Sequence, residues 1–284
     1  MMLERIKQYR KLYLNYGFYS TIIILLNNLT IRFIKKRLLL TPIEQYKNYL
    51  NQKIIKISNS QVISGPYKGT YLINKSHWSK FDYGSKLLGF YEEQIQNLIV
   101  DIQKKNDLKL FLNIGCGDGY HALGLVKNKF FEKSICYDIS SEARNILEIN
   151  IRKNNLYNKF IIKKEANIDE IKRDLETNDI QKTLFLIDIE GDEFTLFKDE
   201  DLNFLKKSFI IIEDHNFLIK EDKIKKNFYT SLNKYFNVRL IENGPRNPFK
   251  IQNDLIDQLN DDARFLLLSE GRPKKMRWIF LYPK

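Results

Sequence analysis

The stretch Leu110-Phe-Leu-Asn-Ile-Gly-Cys-Gly-Asp-Gly-Tyr120 decides the fold. Its first five residues are apolar apart from Asn113, a pattern typical of a strand that is buried on both faces. Gly115, Gly117 and Gly119 follow at once, and apolar residues then recur at helical spacing. Strand, glycine turn and helix in that order predict a site for a nucleotide-like ligand. Glycines let the backbone approach a ligand closely, and the start of a helix offers free N–H groups.

The glycine spacing narrows the type of ligand. The loop reads G-x-G-x-G, whereas a dinucleotide fold has G-x-G-x-x-G and a phosphate loop has G-x-x-x-x-G-K-[ST]. A second strand is predicted over residues 133–138, and it ends in Asp138, 19 residues after Gly119. A carboxylate at this distance meets the ribose hydroxyls of a bound nucleoside, although an ordinary strand-end acid is the alternative. The predicted contacts to the nucleoside are Asn113, Gly115, Cys116, Gly117, Gly119, Tyr120, Asp138 and Ile139.

Charge and composition limit the classes of protein to consider. The 284 residues, 43% of them hydrophobic, suffice for one full α/β core and an appendage. The formal net charge is +12, but residues 1–40 hold eight basic side chains against one acid. Basicity that is concentrated away from the predicted site argues against a nucleic-acid substrate. The two cysteines have neither disulfide nor metal spacing, which predicts a reducing, cytoplasmic location.

Three segments are expected along the chain: a basic helical appendage over residues 1–50, a lead-in over 51–105 and a ligand-binding catalytic domain over 106–284. The apolar core of the appendage, residues 22–26, is too short to span a bilayer. Three uses of the appendage stay open: packing on the domain or on a second subunit, resting on anionic lipid at the inner face of a membrane, and anchoring. The lead-in is predicted to contain strands at 54–57 and 61–63 and one amphipathic helix over 87–102.

Acids cluster where two buried strands end. Asp188 and Glu190 follow a strand that begins at residue 183, and Glu213, Asp214 and His215 close the next strand. The carboxyl ends of parallel strands form the ligand-binding edge of an open α/β sheet, so Asp188 and Glu190 are predicted to act in catalysis, and Asp188 is also predicted to contact the nucleoside ligand. An imidazole titrates near neutral pH, which makes His215 the first candidate for a general base, with a purely structural histidine equally open. Asp188, Glu213 and Asp214 offer oxygen ligands for Mg²⁺, but a metal is not favoured.

The polar loop over residues 74–85 is a candidate for the surface that binds the substrate, the acceptor of the reaction. Aromatic and polar side chains alternate there, as a sugar-binding wall requires, although a loop folded onto the core would use the same residues. His121, just after the glycine loop, is the second candidate for a base. The side chains predicted to contact the acceptor are His77, Trp78, Tyr83, His121 and Glu213.

With these residues in hand, the chain resembles the FkbM-type class I methyltransferases, in the branch found among bacterial surface-polysaccharide enzymes. Residues 187–193, Ile-Asp-Ile-Glu-Gly-Asp-Glu, are similar to the family signature I-D-V-E-G-x-E, and residues 113–120 match its cofactor loop. Residues 65–69, 88–92 and 270–278 match more loosely. The resemblance covers residues 60–284. Asn113 departs from it, because many class I enzymes have an acid there that reaches the amino group of methionine.

The resemblance implies both a fold and a reaction. The fold is Rossmann-like α/β, with a mostly parallel seven-stranded sheet and an antiparallel C-terminal hairpin. The cofactor is S-adenosylmethionine, and the reaction is O-methylation of a sugar or glycan precursor. Tyr91 and Glu92 are then expected at the methionine end of the cofactor, and Asn167, after the third strand, is expected beside its adenine.

Two other classes of function remain open at this stage. The net charge suggests a nucleic-acid methyltransferase. Against it, the fourth strand lacks the Asn- or Asp-Pro-Pro-aromatic motif of amino-methylating DNA enzymes, and an acidic strand end repels phosphate. The second class is a cofactor-binding scaffold without activity, held at a membrane by the N-terminal helices.

Overall fold

The computed structural model describes residues 41–75, 81–175 and 179–284, together with Phe18 and Ile22. The chain falls into two compact units, Met1–Tyr46 and Lys47–Lys284. Apart from Phe18 and Ile22, the predicted helices of the appendage lie outside the described residues. The use of the appendage therefore stays a prediction. The segment boundaries at residues 50 and 105 stay predictions as well. Within the described part of the chain, no helix has both the length and the hydropathy of a membrane span.

A seven-stranded sheet forms the framework. Its order is β3-β2-β1-β4-β5-β7-β6; the first five strands in this row run parallel, and β7 runs antiparallel to both β5 and β6. This order and the antiparallel hairpin confirm the predicted fold class. The strands are β1 (Leu110–Ile114), β2 (Lys133–Tyr137), β3 (Phe160–Lys163), β4 (Thr183–Ile187), β5 (Phe209–Glu213), β6 (Phe236–Glu242) and β7 (Arg277–Pro283).

Helices cover both faces of the sheet. Every residue of β1 is buried; Leu110, Leu112 and Ile114 pack on one apolar cluster and Phe111 on the other, as the two-residue period of a strand requires. The helices are α1 (Pro42–Ser58), α2 (Tyr83–Leu88), α3 (Glu93–Asn106), α4 (Tyr120–Lys127), α5 (Ser141–Lys153), α6 (Ile168–Leu175), α7 (Glu193–Leu196), α8 (Asp199–Leu205), α9 (Asp222–Tyr235), α10 (Asp254–Asp257) and α11 (Asp261–Leu268). Single 3-10 turns occupy Tyr157–Lys159, Ile180–Lys182 and Pro248–Lys250.

The strand register brings four loops to one edge of the sheet. Ile114 at the end of β1 is in register with Tyr137 of β2 on one side and with Ile187 of β4 on the other, and Ile187 is in register with Ile212 of β5. The segments that follow these strands therefore leave the sheet side by side. The connections diverge between β1 and β4, and such a point is where open α/β sheets bind ligands.

The lead-in differs from its prediction in three places. Residues 54–57 belong to α1, because Leu50 and Ile54 are buried one helical turn apart, so the predicted strand is wrong. The strand predicted at residues 61–63 is wrong as well, because the pairing there is a single isolated bridge between Gln61 and Tyr71. The predicted helix over 87–102 is broken into α2 and α3. Gly89 has φ +82°, and its backbone passes so close to the Ser64 carbonyl that a Cβ would lie 2.1 Å from that oxygen. Glu92 has φ +50° and starts the second helix.

Gly89 and Gly69 form a matched pair for testing this break. Their φ angles are +82° and +81°, but a Cβ at Gly69 meets nothing within 4 Å. We expect Gly69→Ala to lower the free energy of unfolding by about 1 to 2 kcal/mol, the cost of the left-handed backbone. Gly89→Ala is expected to cost about 1 to 3 kcal/mol more, because backbone must move. Urea unfolding measures both, and equal losses would contradict the close approach to Ser64.

Candidate active site

A cavity of about 800 Å³ opens at the carboxyl ends of β1, β2 and β4. It brings together residues that the sequence separates by almost a hundred positions. Of the predicted site residues, those that line it are Tyr91, Glu92, Asn113, Gly115, Cys116, Gly117, Tyr120, His121, Asp138, Ile139, Asp188 and Glu190. Lys86, Asp118 and Trp278, which were not predicted, line it as well, and so does Ala166.

The glycine loop is pressed against the end of β4. Gly115 has φ +78°, and a Cβ there would lie 1.7 Å from the carbonyl oxygen of Asp188. A Cβ at Gly117, by contrast, would meet no atom within 4 Å, so this part of the loop is open. Gly119 does not line the cavity, because Leu147 of α5 packs against it. The first glycine therefore serves the packing of the site, and the second leaves space beside the loop.

Asp138 ties the loops after β1 and β2 together. Its Oδ2 accepts a hydrogen bond from the Gly117 N–H at 2.8 Å, and its Oδ1 accepts one from the Ser140 N–H at 2.8 Å. Ser140 also caps α5 by accepting from the Ala143 N–H at 3.2 Å. A carboxylate has about four lone-pair positions, so two remain for hydroxyl donors. Asp138 can thus hold the loop and a diol at the same time.

Glu92 and His121 form a buried pair on a second wall. Glu92 Oε2 lies 2.8 Å from His121 Nε2, and His121 Nδ1 lies 2.9 Å from the Tyr67 hydroxyl. Burial alone would raise the pKa of Glu92, but the hydrogen bond with His121 and the charge of Arg272 lower it to about 2. Both nitrogens of His121 are engaged within the protein, which makes it a poor candidate for a base.

Lys86 supplies a cationic group that sequence reasoning missed. Its Nζ lies 2.6 Å from Asp118 Oδ2 and 5.0 Å from the centre of the Tyr91 ring. Burial alone would lower the pKa of Lys86, but the charge of Asp118 and the hydrogen bond with it raise that pKa. Asp118 also accepts from the Tyr120 N–H at 3.1 Å. No pattern around residue 86 predicts this pairing, because the two partners are 32 positions apart.

Arg272 joins three buried carboxylates beneath the cavity. Its guanidinium lies 2.6 Å from Glu92 and 2.9 Å from Glu270, and it also pairs with Glu213. Glu270 in turn pairs with Arg246. The only sequence signal for this network was the loosely matching stretch 270–278. Arg272 thereby links the C-terminal segment, the start of α3 and the end of β5.

His215 does not line the cavity but lies behind Asp188 and Glu190, which together form an acidic wall of the cavity. Its side chain is 1% exposed, and Nδ1 lies 3.1 Å from Glu193 Oε1. Burial alone would lower the pKa of His215, but the hydrogen bond with Glu193 and the charge of Glu213 raise it. In front of the ring, burial and the charge of Glu213 raise the pKa of Asp188 well above its usual range. Of the four acids that lie nearest to His215, Asp188 and Glu190 line the cavity, whereas Glu193 and Glu213 do not.

Five more predicted contacts do not line the cavity or cannot be placed. Glu213 is buried and pairs with Arg272, so it does not line the cavity. Tyr83 is buried and donates its hydroxyl to the Leu72 carbonyl, so it is unavailable to an acceptor. Asn167 instead accepts from the Glu170 N–H at 3.0 Å and caps α6, and its neighbour Ala166 lines the cavity. His77 and Trp78 lie outside the described residues, so their contacts stay predictions.

The predicted set of metal ligands is corrected in one member. Asp214 lies 2.8 Å from Arg277 Nε and accepts from the Tyr229 hydroxyl at 2.8 Å, on the side of the chain opposite to Glu213 and His215. Side chains alternate along an extended chain, so Asp214 cannot share a site with its two neighbours. The structure brings His215 to Asp188 and Glu213 in its place.

Comparisons with known proteins return matches among solved structures alone. No protein-family model matches the sequence, and no curated protein does. A putative O-methyltransferase from Klebsiella pneumoniae is 7% identical with a TM-score of 0.42, over 89% of this chain and 95% of that one. An O-methyltransferase from Bacillus cereus in complex with SAH is 9% identical with a TM-score of 0.44, and the match covers 89% of this chain and 97% of that one. A putative caffeoyl-CoA O-methyltransferase from Staphylococcus aureus is 12% identical with a TM-score of 0.43, and the match covers 91% of this chain and 99% of that one. Similarities of this size carry no argument about activity, which must come from the site itself.

The Arg272 network yields a test of stability. Arg272→Met leaves Glu92, Glu213 and Glu270 without their shared cation, and removing one partner of a buried ion pair costs about 3 to 5 kcal/mol. Lys275→Met is the matched control, because the Lys275–Glu242 pair is exposed (79% and 57%). We expect the control to change the free energy of unfolding by less than about 0.5 kcal/mol. Urea unfolding measures the free energy of unfolding of both variants. A similar loss of that free energy in Arg272→Met and Lys275→Met would contradict the role given to Arg272.

Proposed function

We propose that this protein is an S-adenosylmethionine-dependent O-methyltransferase that acts on a hydroxyl of a sugar or glycan precursor. One observation carries the proposal: a single cavity has at one end the Asp138 carboxylate, which accepts a hydrogen bond from the glycine loop and has lone pairs left for a diol, and an acidic wall at the other. Its volume of about 800 Å³ suits a nucleoside cofactor with part of an acceptor.

The cofactor is placed by the residues of the glycine loop. Asp138 accepts from the ribose hydroxyls, and Ile139 and Ala166 flank the adenine with apolar surface. At the methionine end, Lys86 faces the carboxylate. The side-chain amide of Asn113 donates to the Leu186 carbonyl at 3.3 Å, which leaves its Oδ1 to accept from the ammonium group. This neutral contact replaces the charged one that an acid at position 113 would make.

In this reaction the protein itself forms and breaks no covalent bond apart from accepting a proton. When bound, S-adenosylmethionine would supply an activated methyl group, and its transfer to a hydroxyl oxygen would form a C–O bond, break the C–S bond and leave a neutral thioether. The protein aligns the two groups and takes the hydroxyl proton. We assign the contact with the acceptor to Asp188 and Glu190. His215 lies behind them and acts as a positioning residue instead of the base that the sequence suggested.

The acidic wall also bears on the class of acceptor. Carboxylates accept hydrogen bonds from sugar hydroxyls and repel phosphates, so a neutral glycan group fits this end better than a nucleic acid does. The family signature over residues 187–193 supports the FkbM-type proposal, because Asp188 and Glu190 reach the cavity and Glu193 holds His215. Cytoplasmic location, membrane contact through residues 1–40 and a homo-oligomer stay predictions.

Transfer of a labelled methyl group tests the reaction. With methyl-labelled S-adenosylmethionine and a panel of nucleotide sugars and glycans, we expect label in an alkali-stable ether of at least one acceptor. Asp188→Asn is expected to lower kcat by about 100-fold or more, because it removes the proton acceptor. Glu200→Gln, an exposed acid on α8, serves as the control and is expected to retain full activity.

Two outcomes would contradict the proposal. Label that enters RNA or DNA and no sugar would favour the nucleic-acid alternative. Binding of S-adenosylhomocysteine without transfer to any acceptor would favour the scaffold.

A further inference from the structure

We propose that Asp188, Glu213 and His215 form a binding site for one divalent transition-metal ion at the edge of the cavity. The site itself is independent of methyl transfer. Only the role of the ion toward an acceptor hydroxyl rests on the proposed function.

The three side chains converge on one point. His215 Nε2 lies 3.5 Å from Glu213 Oε2 and 3.7 Å from Asp188 Oδ1, and one ligand atom from each residue falls within 4.8 Å of the others. These separations exceed a normal hydrogen bond. An ion held about 2.1 Å from each ligand would separate neighbouring ligand atoms by roughly 3.0 to 3.5 Å, so small side-chain movements complete the site.

Two of the converging atoms are buried and lack partners. Within the described residues, neither His215 Nε2 nor Asp188 Oδ1 has a hydrogen-bond partner. A buried polar atom without a partner generally costs about 1 to 3 kcal/mol. The His215 ring is 1% exposed, so bulk water does not reach its nitrogen. Unpartnered acceptors that face one another distinguish this cluster from an ordinary group of surface acids.

The surrounding residues orient two of the three ligands, His215 and Glu213. Glu193 accepts hydrogen bonds from the backbone N–H groups of His215 at 2.9 Å and Gly191 at 2.8 Å, which fixes its carboxylate beside the ring. Because that carboxylate can only accept, the ring proton lies on Nδ1 and the lone pair of Nε2 faces Asp188 and Glu213. A carboxylate behind a histidine in this way is the usual support of a metal-binding imidazole.

Glu213 is oriented in the same manner. Its Oε1 pairs with Arg272, so Oε2 is the oxygen left for the site. Glu190 lies next to the site, with its Oε2 3.5 Å from His215 Nε2, and adds negative charge. His215 and Glu213 thus each have one atom committed to the protein and one atom that faces the shared point.

The chemistry of the ligands selects the ion. Two carboxylates and one imidazole supply two negative charges and a nitrogen, a set that suits Mn²⁺, Fe²⁺ or Zn²⁺ better than Ca²⁺. Three protein ligands with one side toward a cavity leave a coordination position open, as in catalytic metal sites. Asp188 lines the cavity, so the open position faces the acceptor. An ion there lowers the pKa of a bound hydroxyl.

Titration with Mn²⁺, followed by electron paramagnetic resonance without any cofactor, tests the site. We expect one ion to bind with micromolar affinity and Zn²⁺ to displace it. Asp188→Asn and His215→Gln are expected to weaken binding at least tenfold. Glu165→Gln removes another carboxylate of the cavity and should leave binding unchanged.

A second measurement needs only the unaltered protein, in case a variant does not fold. Bound Mn²⁺ should broaden the ring resonances of His215 before those of His121, whose nitrogens face Glu92 and Tyr67. Equal broadening of these two rings, or equal Mn²⁺ affinity of the wild type and a folded His215→Gln variant, would overturn the proposal. S-adenosylhomocysteine binding is titrated separately, so a failed metal site is distinguishable from a failed cofactor site.

Discussion

The site depends on one close approach between two backbones. Gly115 passes the carbonyl of Asp188 at a distance that leaves no room for a side chain. Because β1 and β4 are neighbours in register, this contact lies where the chain connections diverge. It places the loop that suits a nucleoside directly beside the acids that suit an acceptor. A side chain at position 115 would push these two halves of the cavity apart.

The second constraint is the number of buried acids. Glu92, Glu193, Glu213 and Glu270 are all largely buried, and a buried carboxylate is costly unless it is paired. Arg272 compensates three of them from a single position, and Glu193 uses backbone N–H groups and His215. The acidic cluster at the ends of β4 and β5 is left without full charge compensation. The local excess of negative charge there is the feature on which both the acceptor proposal and the metal proposal rest.

Local patterns predicted the parts of the site that one segment builds. The glycine loop and Asp138 each depend on a few consecutive residues, so spacing was sufficient to find them. Side chains alternate along a strand, which separates Asp214 from Glu213 and His215. The predicted metal-ligand set grouped Asp214 with Glu213 against this alternation, and that part of it was wrong.

Pairs of residues that are far apart in the sequence could not be predicted from local patterns. Lys86 with Asp118 and Arg272 with Glu92 become neighbours only in the folded chain, and a lone lysine or arginine carries no sign of its partner. Residues 54–57 were mistaken for a strand because isoleucine favours strands. Burial of Leu50 and Ile54 on one helical face outweighed that preference.

The central claim is that the glycine loop and Asp138 hold the nucleoside of S-adenosylmethionine. Calorimetric titration with S-adenosylhomocysteine tests it most directly, on the wild type, on Asp138→Ala and on Glu148→Ala, an exposed acid of α5. The account predicts micromolar binding that falls at least tenfold, a loss of about 1.4 kcal/mol, in Asp138→Ala and is unchanged in Glu148→Ala. Folded wild-type protein that does not bind, or equal binding by the wild type and Asp138→Ala, would contradict it.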